Sequence, residues 1–213
     1  MTAHREAAAL YGLALNCAAD LVPSERAALI EAYSWECNVI DQRSEAVAAR
    51  QTAVALWEAA GNTLKQAENL ARQVPMLIGV GRNDAAERCS GEAVALLEPL
   101  ARGAEFALAC RMQALVALAR RDPTGAISWG ERAIALAQEC GDPDVTGMTE
   151  SAVGSARMIL DYEGGRAYLD QCLRRALADG RATHAANAFA HLGRRSAELL
   201  LRGAAAARGR VRH

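Results

Sequence analysis

A pair of small residues, seven positions apart, recurs along this chain at a period of about 40 residues. The five pairs are Ala7 and Ala14, Ala46 and Ala53, Ala86 and Ala93, Ala126 and Ala133, and Gly165 and Cys172. Residues seven apart share one face of a helix, and a fixed period of this length is typical of stacked helical repeats. The pattern therefore predicts an all-α fold, a right-handed α-solenoid of antiparallel helix pairs.

The composition favours the same fold and disfavours several functions. Hydrophobic residues make up 52% of the 213 residues but aromatic residues only 4%, so the apolar content is mostly alanine and leucine. This suits close helix packing and argues against a β-sheet protein. The formal net charge is −1, with acidic and basic residues intermixed. Such a chain has no strong field for nucleic acid, so we expect no direct nucleic-acid binding.

The cysteines and the apolar runs bear on the cellular setting. Six cysteines form no CxxC pair and no zinc-type spacing: Cys17, Cys37, Cys89, Cys110, Cys140 and Cys172. We expect reduced thiols used as small apolar residues, and hence a cytoplasmic protein. No run of eighteen apolar residues occurs, so we expect no membrane partner. The first helix keeps the repeat phase through Ala7 and Ala14, which favours a packed helix over a cleaved leader.

Turn residues divide the chain into helix pairs. We predict one helical repeat domain over 1–201, made of these parts: a partial repeat over 3–20, repeats over 24–62, 63–100, 104–142 and 143–180, and a final helix over 183–201. Residues 202–213 are basic and low in complexity, so we expect a disordered tail there.

Both ends of the predicted array lack a packing partner. The first helix reads as the second member of a pair, and the last helix as the first member of another. Stacked repeats bury their apolar faces only against neighbours, so we expect the ends to expose Leu10, Leu13, Leu192, Leu199 and Leu200. Exposed patches of this kind promote association, which predicts possible self-association through the uncapped ends.

The spacing of small residues resembles that of the tetratricopeptide repeat (TPR). In that repeat a small residue also lies in the first helix, preceded by a leucine. Phe189, Leu192 and Gly193 match this first-helix pattern, and Ala114 matches its small position in the third repeat. The resemblance implies a protein-interaction domain whose first helices line a concave binding face.

A second resemblance is to the repeat region of large ATP-binding LuxR-type transcriptional regulators, whose layout is that of the bacterial maltose regulator. It rests on Glu31 to Cys37, Asp41-Gln42, Ala53 to Trp57 and Ala126 to Asp142. Such regulators join an ATPase module, a helical sensor and a helix-turn-helix. The chain has no GxxxxGK[ST] motif and no helix-turn-helix after Leu201. The resemblance thus implies a sensor fragment for a protein or small effector. A free-standing repeat adaptor is the alternative.

The sequence offers no argument for catalysis, a cofactor or a metal. Gly79-Val80-Gly81 reads as a turn between helices, since it lacks the third glycine and the preceding strand of a dinucleotide site. His184 and His191 are seven apart, but no carboxylate or cysteine joins them at ligand spacing. We therefore expect a binding protein rather than an enzyme.

The repeat phase assigns eight side chains to the concave, partner-binding face. They come from the first helices of the pairs and are Glu31, Trp35, Asn38, Arg111, Glu150, Arg157, Asn187 and Arg194. For each one alone, a solvated helix face is the simpler interpretation. Trp35 is the strongest candidate, because an exposed tryptophan often anchors a partner. Trp57 and Trp129 are expected in the core.

Overall fold

A computed structural model describes residues 2–100 and 103–210, with side chains described as far as Glu198. These residues form no β-strand and ten α-helices joined by short turns. The helices are α1 (Thr2–Asn16), α2 (Pro23–Val39), α3 (Arg43–Ala59), α4 (Thr63–Gly79), α5 (Asn83–Leu97), α6 (Ala104–Ala119), α7 (Pro123–Glu139), α8 (Pro143–Leu160), α9 (Tyr162–Ala178) and α10 (Ala182–Arg210). One 3-10 turn, Glu98–Leu100, follows α5.

The helices pack as consecutive pairs, α2 with α3, α4 with α5, α6 with α7, and α8 with α9. The first helices also touch across pairs, as α4 with α6, α6 with α8 and α8 with α10. This arrangement is an all-α solenoid, so the predicted fold class is confirmed. No helix among the described residues combines the length and apolar character needed to cross a membrane.

The recurrent small residues are where the helices approach most closely. Ala46, Ala53, Ala86, Ala93 and Ala133 are completely buried in the second helices of their pairs. A methyl group at Gly165 would collide with the backbone of α8 at Met158. The period visible in the sequence is therefore the record of close helix contacts, which only small side chains permit.

Most turns between helices use one left-handed residue. The residues with φ between 61° and 77° are Asp41, Gly61, Gly81, Arg121, Gly141 and Gly180. The amide that follows each one bonds back to the helix it leaves, as in Asp142 N to Ala137 O at 2.8 Å. The turn from α8 to α9 differs, because Asp161 is extended there with φ −139°. This turn is shorter, and it brings Gly165 against α8.

The last helix is longer than the sequence pattern predicts. Helix α10 continues through Arg210, whereas the pattern predicts an end near 201 and a disordered tail beyond it. Alanine and arginine dominate the extension and are strong helix formers. Residues 211–213 of the predicted tail lie outside the described residues.

The leucines predicted to be exposed at the ends differ in their outcomes. Leu10 and Leu13 of α1 are exposed, as expected. Leu192 is half-buried instead, because α10 packs on α8 and α9. Leu199 and Leu200 lie outside the residues whose side chains are described.

The core runs along the middle of the array. Its largest side chains include Phe106, Leu77, Leu97 and Met112, all fully buried. Trp57 is buried as expected, and Trp129 is half-buried against the same core. The core therefore fixes the first helices side by side, which creates the groove described next.

Candidate partner-binding groove

Five first helices line one continuous groove. A cavity of about 520 Å³ has walls from α2, α4, α6, α8 and α10, including Trp35, Arg72, Leu108, Arg111 and Met148. A second cavity of about 330 Å³ adjoins α4, α6 and α10 further along these helices. Since residues from all five first helices meet here, this is the concave side of the solenoid.

Trp35 lies on the α2 wall of the groove. It is 54% exposed, although tryptophan usually buries most of its surface in a folded chain. Asn38 lies three residues further along the same helix and is half-buried. The groove thus has a large aromatic surface at one side that no described residue covers.

Glu31 belongs to a polar network rather than to open groove surface. Its Oε1 accepts hydrogen bonds from Trp57 Nε1 at 2.5 Å and from Asn69 Nδ2 at 2.7 Å. The buried Arg50 guanidinium donates to Asn69 Oδ1 at 2.7 Å and to the Glu31 carbonyl at 3.3 Å. Burial lowers the pKa of Arg50, and the nearby Glu31 charge opposes that shift. The network joins α2, α3 and α4, so Glu31 has a structural role there.

Arg111 lies at the centre of the groove in a different environment. Its side chain is half-buried, and no carboxylate of the described residues lies within ion-pair distance of it. Burial lowers its pKa to about 10, and the neighbouring positive charge of Arg72 adds to the effect. The carboxylate on that side, Glu68, is already shared by Lys65 and Arg72 at 2.8 Å each. Arg111 is therefore a poorly compensated cation facing the groove.

Helix α10 adds more positive charge. Asn187, His191 and Arg194 line the second cavity beside Leu115 and Leu118. His191 Nδ1 accepts from Arg194 at 2.9 Å, and burial together with the nearby Arg194, Arg195 and Arg111 charges lowers the pKa of His191 to about 4. His191 is thus neutral at neutral pH, which is what its acceptor role requires.

Arg195 is buried, and its guanidinium already has hydrogen-bond and ion-pair partners. Its Nε donates to Ser155 at 2.9 Å and its guanidinium pairs with Glu198 at 2.8 Å. Arg194 has no such carboxylate among the described residues, and burial followed by repulsion from Arg195 lowers its pKa. We call Arg72, Arg111 and Arg194 the groove arginines. Arg72 and Arg111 line the first cavity together with the carboxylates of Glu68, Glu105, Asp142 and Asp144, and Arg194 lines the second cavity.

Two residues assigned to the concave face lie against α9 instead. Glu150 pairs with Arg175 of α9. Arg157 pairs with Glu131 of α7 at 3.1 Å, and its guanidinium lies 4.5 Å from the centre of the Tyr168 ring. The structure therefore brings Trp35, Arg111, Asn187 and Arg194 to the two groove cavities, and does not bring Glu150 and Arg157 there.

A third cavity, of about 470 Å³, lies between α7, α8, α9 and α10. Glu150 pairs there with Arg175, and His184 Nε2 lies 3.1 Å from Asp144. Burial raises the pKa of the Cys172 thiol to about 11. The thiol is protonated at neutral pH and is therefore a weak nucleophile.

Sequence reasoning did not identify Arg72 as a groove residue, or His191 as a groove residue that accepts a hydrogen bond from Arg194. The signal for Arg72 was present, because Lys65, Glu68 and Arg72 follow the spacing of three and four that makes one polar helix face. A local signal also existed for His191, because Arg194 and Arg195 follow it at spacings of three and four. The burial that lowers the pKa of His191 leaves no such signal in the sequence.

Comparison with proteins of known structure identifies the class of fold. No family model and no curated protein matches the sequence. Solved structures do match. BtubC (BKLC) from P. vanneervenii has a TM-score of 0.67 and 20% identity, over 83% of this chain and 75% of that one. A putative kinesin light chain of Podosopora anserina with nearly identical TPR-like repeats matches in two forms. The form with a glutamine-to-methionine substitution gives a TM-score of 0.65 and 15% identity, over 84% of this chain and 89% of that one.

The other form of the Podosopora protein gives a TM-score of 0.56 and 14% identity, over 92% of this chain and 88% of that one. At these identities the likeness concerns the fold alone. The chain therefore has a TPR-like repeat fold, a class whose members commonly serve as protein-interaction scaffolds.

Proposed function

We propose that this chain is a protein-interaction scaffold that binds an extended segment of another protein in its concave groove, with an acidic side chain of that segment at Arg111. The observation that carries the proposal is the half-buried Arg111, which faces Arg72 and lacks a carboxylate among the described residues. A partially desolvated cation is costly to hold unless an anion compensates it. A bound carboxylate would supply that compensation.

The rest of the groove favours a peptide over nucleic acid. The same cavity contains the carboxylates of Glu68, Glu105, Asp142 and Asp144, which would repel a continuous phosphate backbone. Leu108, Val145 and Met148 add apolar wall, and Trp35 adds an exposed aromatic ring. This mixture suits a segment that carries one acidic residue among apolar ones. Membrane association and nucleic-acid binding are not part of the proposal, and a cytoplasmic location stays a prediction.

The test is selection of peptides on the purified chain from a displayed library of random sequences. We expect enrichment of peptides that carry an aspartate or glutamate beside apolar residues. Fluorescence anisotropy with labelled copies of the selected peptides then compares variants. Arg111→Gln removes one charge-assisted hydrogen bond, so we expect binding roughly tenfold or more weaker.

Arg157→Gln is the matched control, because the same side chain is lost from a neighbouring first helix outside the groove cavities. We expect this variant to bind the selected peptides as the unchanged chain does. Selected peptides without acidic residues would overturn the proposal, and so would equal losses in the two variants. Circular dichroism of each variant verifies that the fold is retained.

A finer proposal concerns the larger protein to which such a scaffold belongs. The likeness of Glu31 to Cys37, Asp41-Gln42 and Ala53 to Trp57 to LuxR-type regulators supports a role as the sensor region of a transcriptional regulator. A free-standing adaptor is the competing version. Reading the genomic DNA on both sides separates them. A continuous frame with an upstream P-loop and a downstream helix-turn-helix supports the regulator, and independent neighbouring frames contradict it.

Neither version assigns catalysis to the chain. The high pKa of the Cys172 thiol disfavours its use as a nucleophile in the third cavity. Magnesium-dependent ATP hydrolysis by the purified chain would contradict this part of the proposal.

A further inference from the structure

One face of α10 is exposed at positions that are buried in three other first helices. The residues at these positions in α2, α4 and α6 are Ala27, Ile30, Ser34, Ala67, Leu70, Val74, Ala107, Cys110 and Ala114. The equivalent residues of α10 are Ala186, Phe189 and Gly193, and all three are exposed. Phe189 is 68% exposed, where α4 has the buried Leu70. We call these three residues the tail face.

The contacts inside the array identify what covers this face elsewhere. Ser34, the α2 equivalent of Gly193, donates a hydrogen bond to the Ala46 carbonyl of α3 at 2.8 Å. A Cβ at Gly154, the α8 equivalent, would lie 2.6 Å from Leu169 Cγ and 2.9 Å from Tyr168 Cδ1 of α9. In these complete pairs, therefore, the second helix of the same pair lies over the later part of this face. At its start, a Cβ at Gly147, the α8 equivalent of Ala186, would meet His184 of the next first helix.

Helix α1 presents the matching surface. It carries the second-helix pattern, and Gly12 lies against Tyr33 of α2 on one side. Its Ala14 is exposed, although its equivalents Ala53, Ala93 and Ala133 are completely buried. Leu10, the equivalent of Tyr168, is 66% exposed. We call Leu10 and Ala14 the head face.

We propose that a second copy of this chain binds head to tail, so that α1 of one copy packs on α10 of the next as the missing second helix. The tail face is a first-helix surface without a second helix, and the head face is a second-helix surface without a first helix. The two surfaces are of the types that pack together in all four complete pairs. By the internal equivalences, Gly193 of one copy would meet Leu10 of its neighbour.

This contact joins two different surfaces, so it does not close on itself as a two-fold dimer does. A copy that binds through its tail face still presents a free head face. Heterologous contacts of this kind build open chains or rings. We therefore expect the average mass to rise steadily with concentration beyond that of a dimer.

The experiment uses the full chain and two charge variants, Leu10→Glu and Phe189→Glu. Both side chains are on the surface of a single copy, so neither substitution removes a core contact. Sedimentation equilibrium over a range from roughly micromolar to millimolar concentration gives the masses. We expect each variant alone to associate about tenfold or more weakly than the unchanged chain, since one of its two faces is blocked.

The mixture of the two variants is the decisive sample. Phe189→Glu keeps its head face and Leu10→Glu keeps its tail face, so we expect an equimolar mixture to form a one-to-one dimer and to grow no further. Leu177→Glu is the matched control. Leu177 is 64% exposed on α9, where the equivalent residues of the preceding pairs are the exposed Glu58, Glu98 and Gln138. This variant should associate as the unchanged chain does.

Three outcomes would overturn the proposal. A monomer at every concentration means that another protein, or a further segment of a longer chain, covers these faces. Association that Phe189→Glu abolishes and Leu10→Glu leaves intact means a tail-to-tail dimer. A mixture that stays monomeric while the unchanged chain associates means that the two faces do not bind each other. Because peptide binding in the groove is measured separately, each proposal can fail alone.

Discussion

Arg50 and Arg111 are both arginines removed from bulk water, but their surroundings are opposite. Arg50 is buried between α3 and α4 and donates to the side chain of Asn69 and the carbonyl of Glu31. Arg111 is half-buried in the groove and faces Arg72, with no carboxylate of the described residues in ion-pair range. The pKa of both guanidinium groups is lowered by burial, so burial alone does not separate them.

Neither guanidinium has a carboxylate of the described residues within ion-pair distance, and Arg50 Nε has no hydrogen-bond partner among them. The difference lies in the hydrogen bonds that the other guanidinium nitrogens of Arg50 make. Around Arg50 the carboxylate of Glu31, the amide of Asn69 and the indole of Trp57 already bond to one another. Removal of any of these groups leaves another without a partner. Arg111 has no such network: the charge of Asp142 opposes the fall in its pKa, but burial and the adjacent charge of Arg72 outweigh it. The first arrangement stabilises the fold, and the second favours an anion from outside the chain.

The largest expected effect is that of Arg50→Ala. This change leaves the Oδ1 atom of the buried Asn69 without its Arg50 donor. Loss of a hydrogen bond to a charged group, together with the packing of the buried side chain, costs about 3 kcal/mol. For a domain of this size that lowers the melting temperature by roughly 10 °C. Thermal unfolding followed by circular dichroism measures it. Arg88→Ala, at an exposed arginine of α5, is the control. Equal melting temperatures for the two variants would show that the network is dispensable.

The second-largest expected effect is that of acid, which should lower the free energy of unfolding through His191 of α10. The pKa of His191 is about 4 in the folded chain and ordinarily about 6.5 when unfolded, so the unfolded chain binds the extra proton first. Its contribution is complete above pH 6.5 and is lost as the pH falls toward 4. Because the ring is partly exposed, we expect about 1–2 kcal/mol rather than the full value of the shift.

Urea unfolding at several pH values tests this, with His191→Gln as the comparison. His4 and His184 lie beside Glu36 and Asp144 and are present in both proteins, so the difference between the two curves isolates His191. If the free energies of unfolding of the two proteins ran parallel between pH 6.5 and 4, His191 would not be held neutral by burial and the neighbouring arginines.

Arg111→Gln should have a smaller effect, of the opposite sign to that of Arg50→Ala. It removes a partially desolvated charge that Arg72 repels, so we expect unchanged stability or a gain of up to about 1 kcal/mol. Urea unfolding at neutral pH measures it. A loss comparable with that of Arg50→Ala would place Arg111 among the structural arginines and remove the basis of the proposed peptide site.

The smallest expected effect is that of salt. Raising the ionic strength screens the repulsion among the groove arginines, so the unchanged chain should gain a few tenths of a kcal/mol. Arg111→Gln, which lacks the central charge, should gain less. The measurement is the melting temperature of both proteins at low and high sodium chloride. Identical salt responses would indicate that the groove charges do not interact appreciably.

The fold was accessible from sequence because helix contact requires small residues at fixed places. Ala46 and Ala133 are both buried where two helices are in close contact. Because each such contact requires a small residue, the sequence shows a periodic pattern of small residues. The groove was less accessible. An arginine on a first helix can reach either layer, since its long side chain extends well beyond its helix position. Arg111 enters the groove and Arg157 lies against Tyr168 of α9, although the sequence analysis assigns both to one face. Arg157 lies six residues after Ser151, the α8 equivalent of Arg111, and is therefore about 120° round the helix from it.

The polar network could not be predicted for a related reason. Glu31 is held by Trp57 and Asn69, which are 26 and 38 positions away. Hydrogen bonds between helices of different pairs leave no periodic trace, because each occurs once. The sequence therefore indicates where helices touch but not which polar groups meet across them.

The left-handed turns have a consequence for how such a chain grows. They recur at 41, 61, 81, 121 and 141, so one helix with its turn occupies 20 residues. A segment from the residue after Gly61 to Gly141 follows one left-handed residue, ends on another and contains two whole pairs. If that segment were duplicated, the two copies would be connected by a left-handed turn of the kind already present. Each added pair would lengthen the groove by one first helix. The glycine turns are thus natural crossover points, at which recombination can change the length of the binding surface without disturbing its packing.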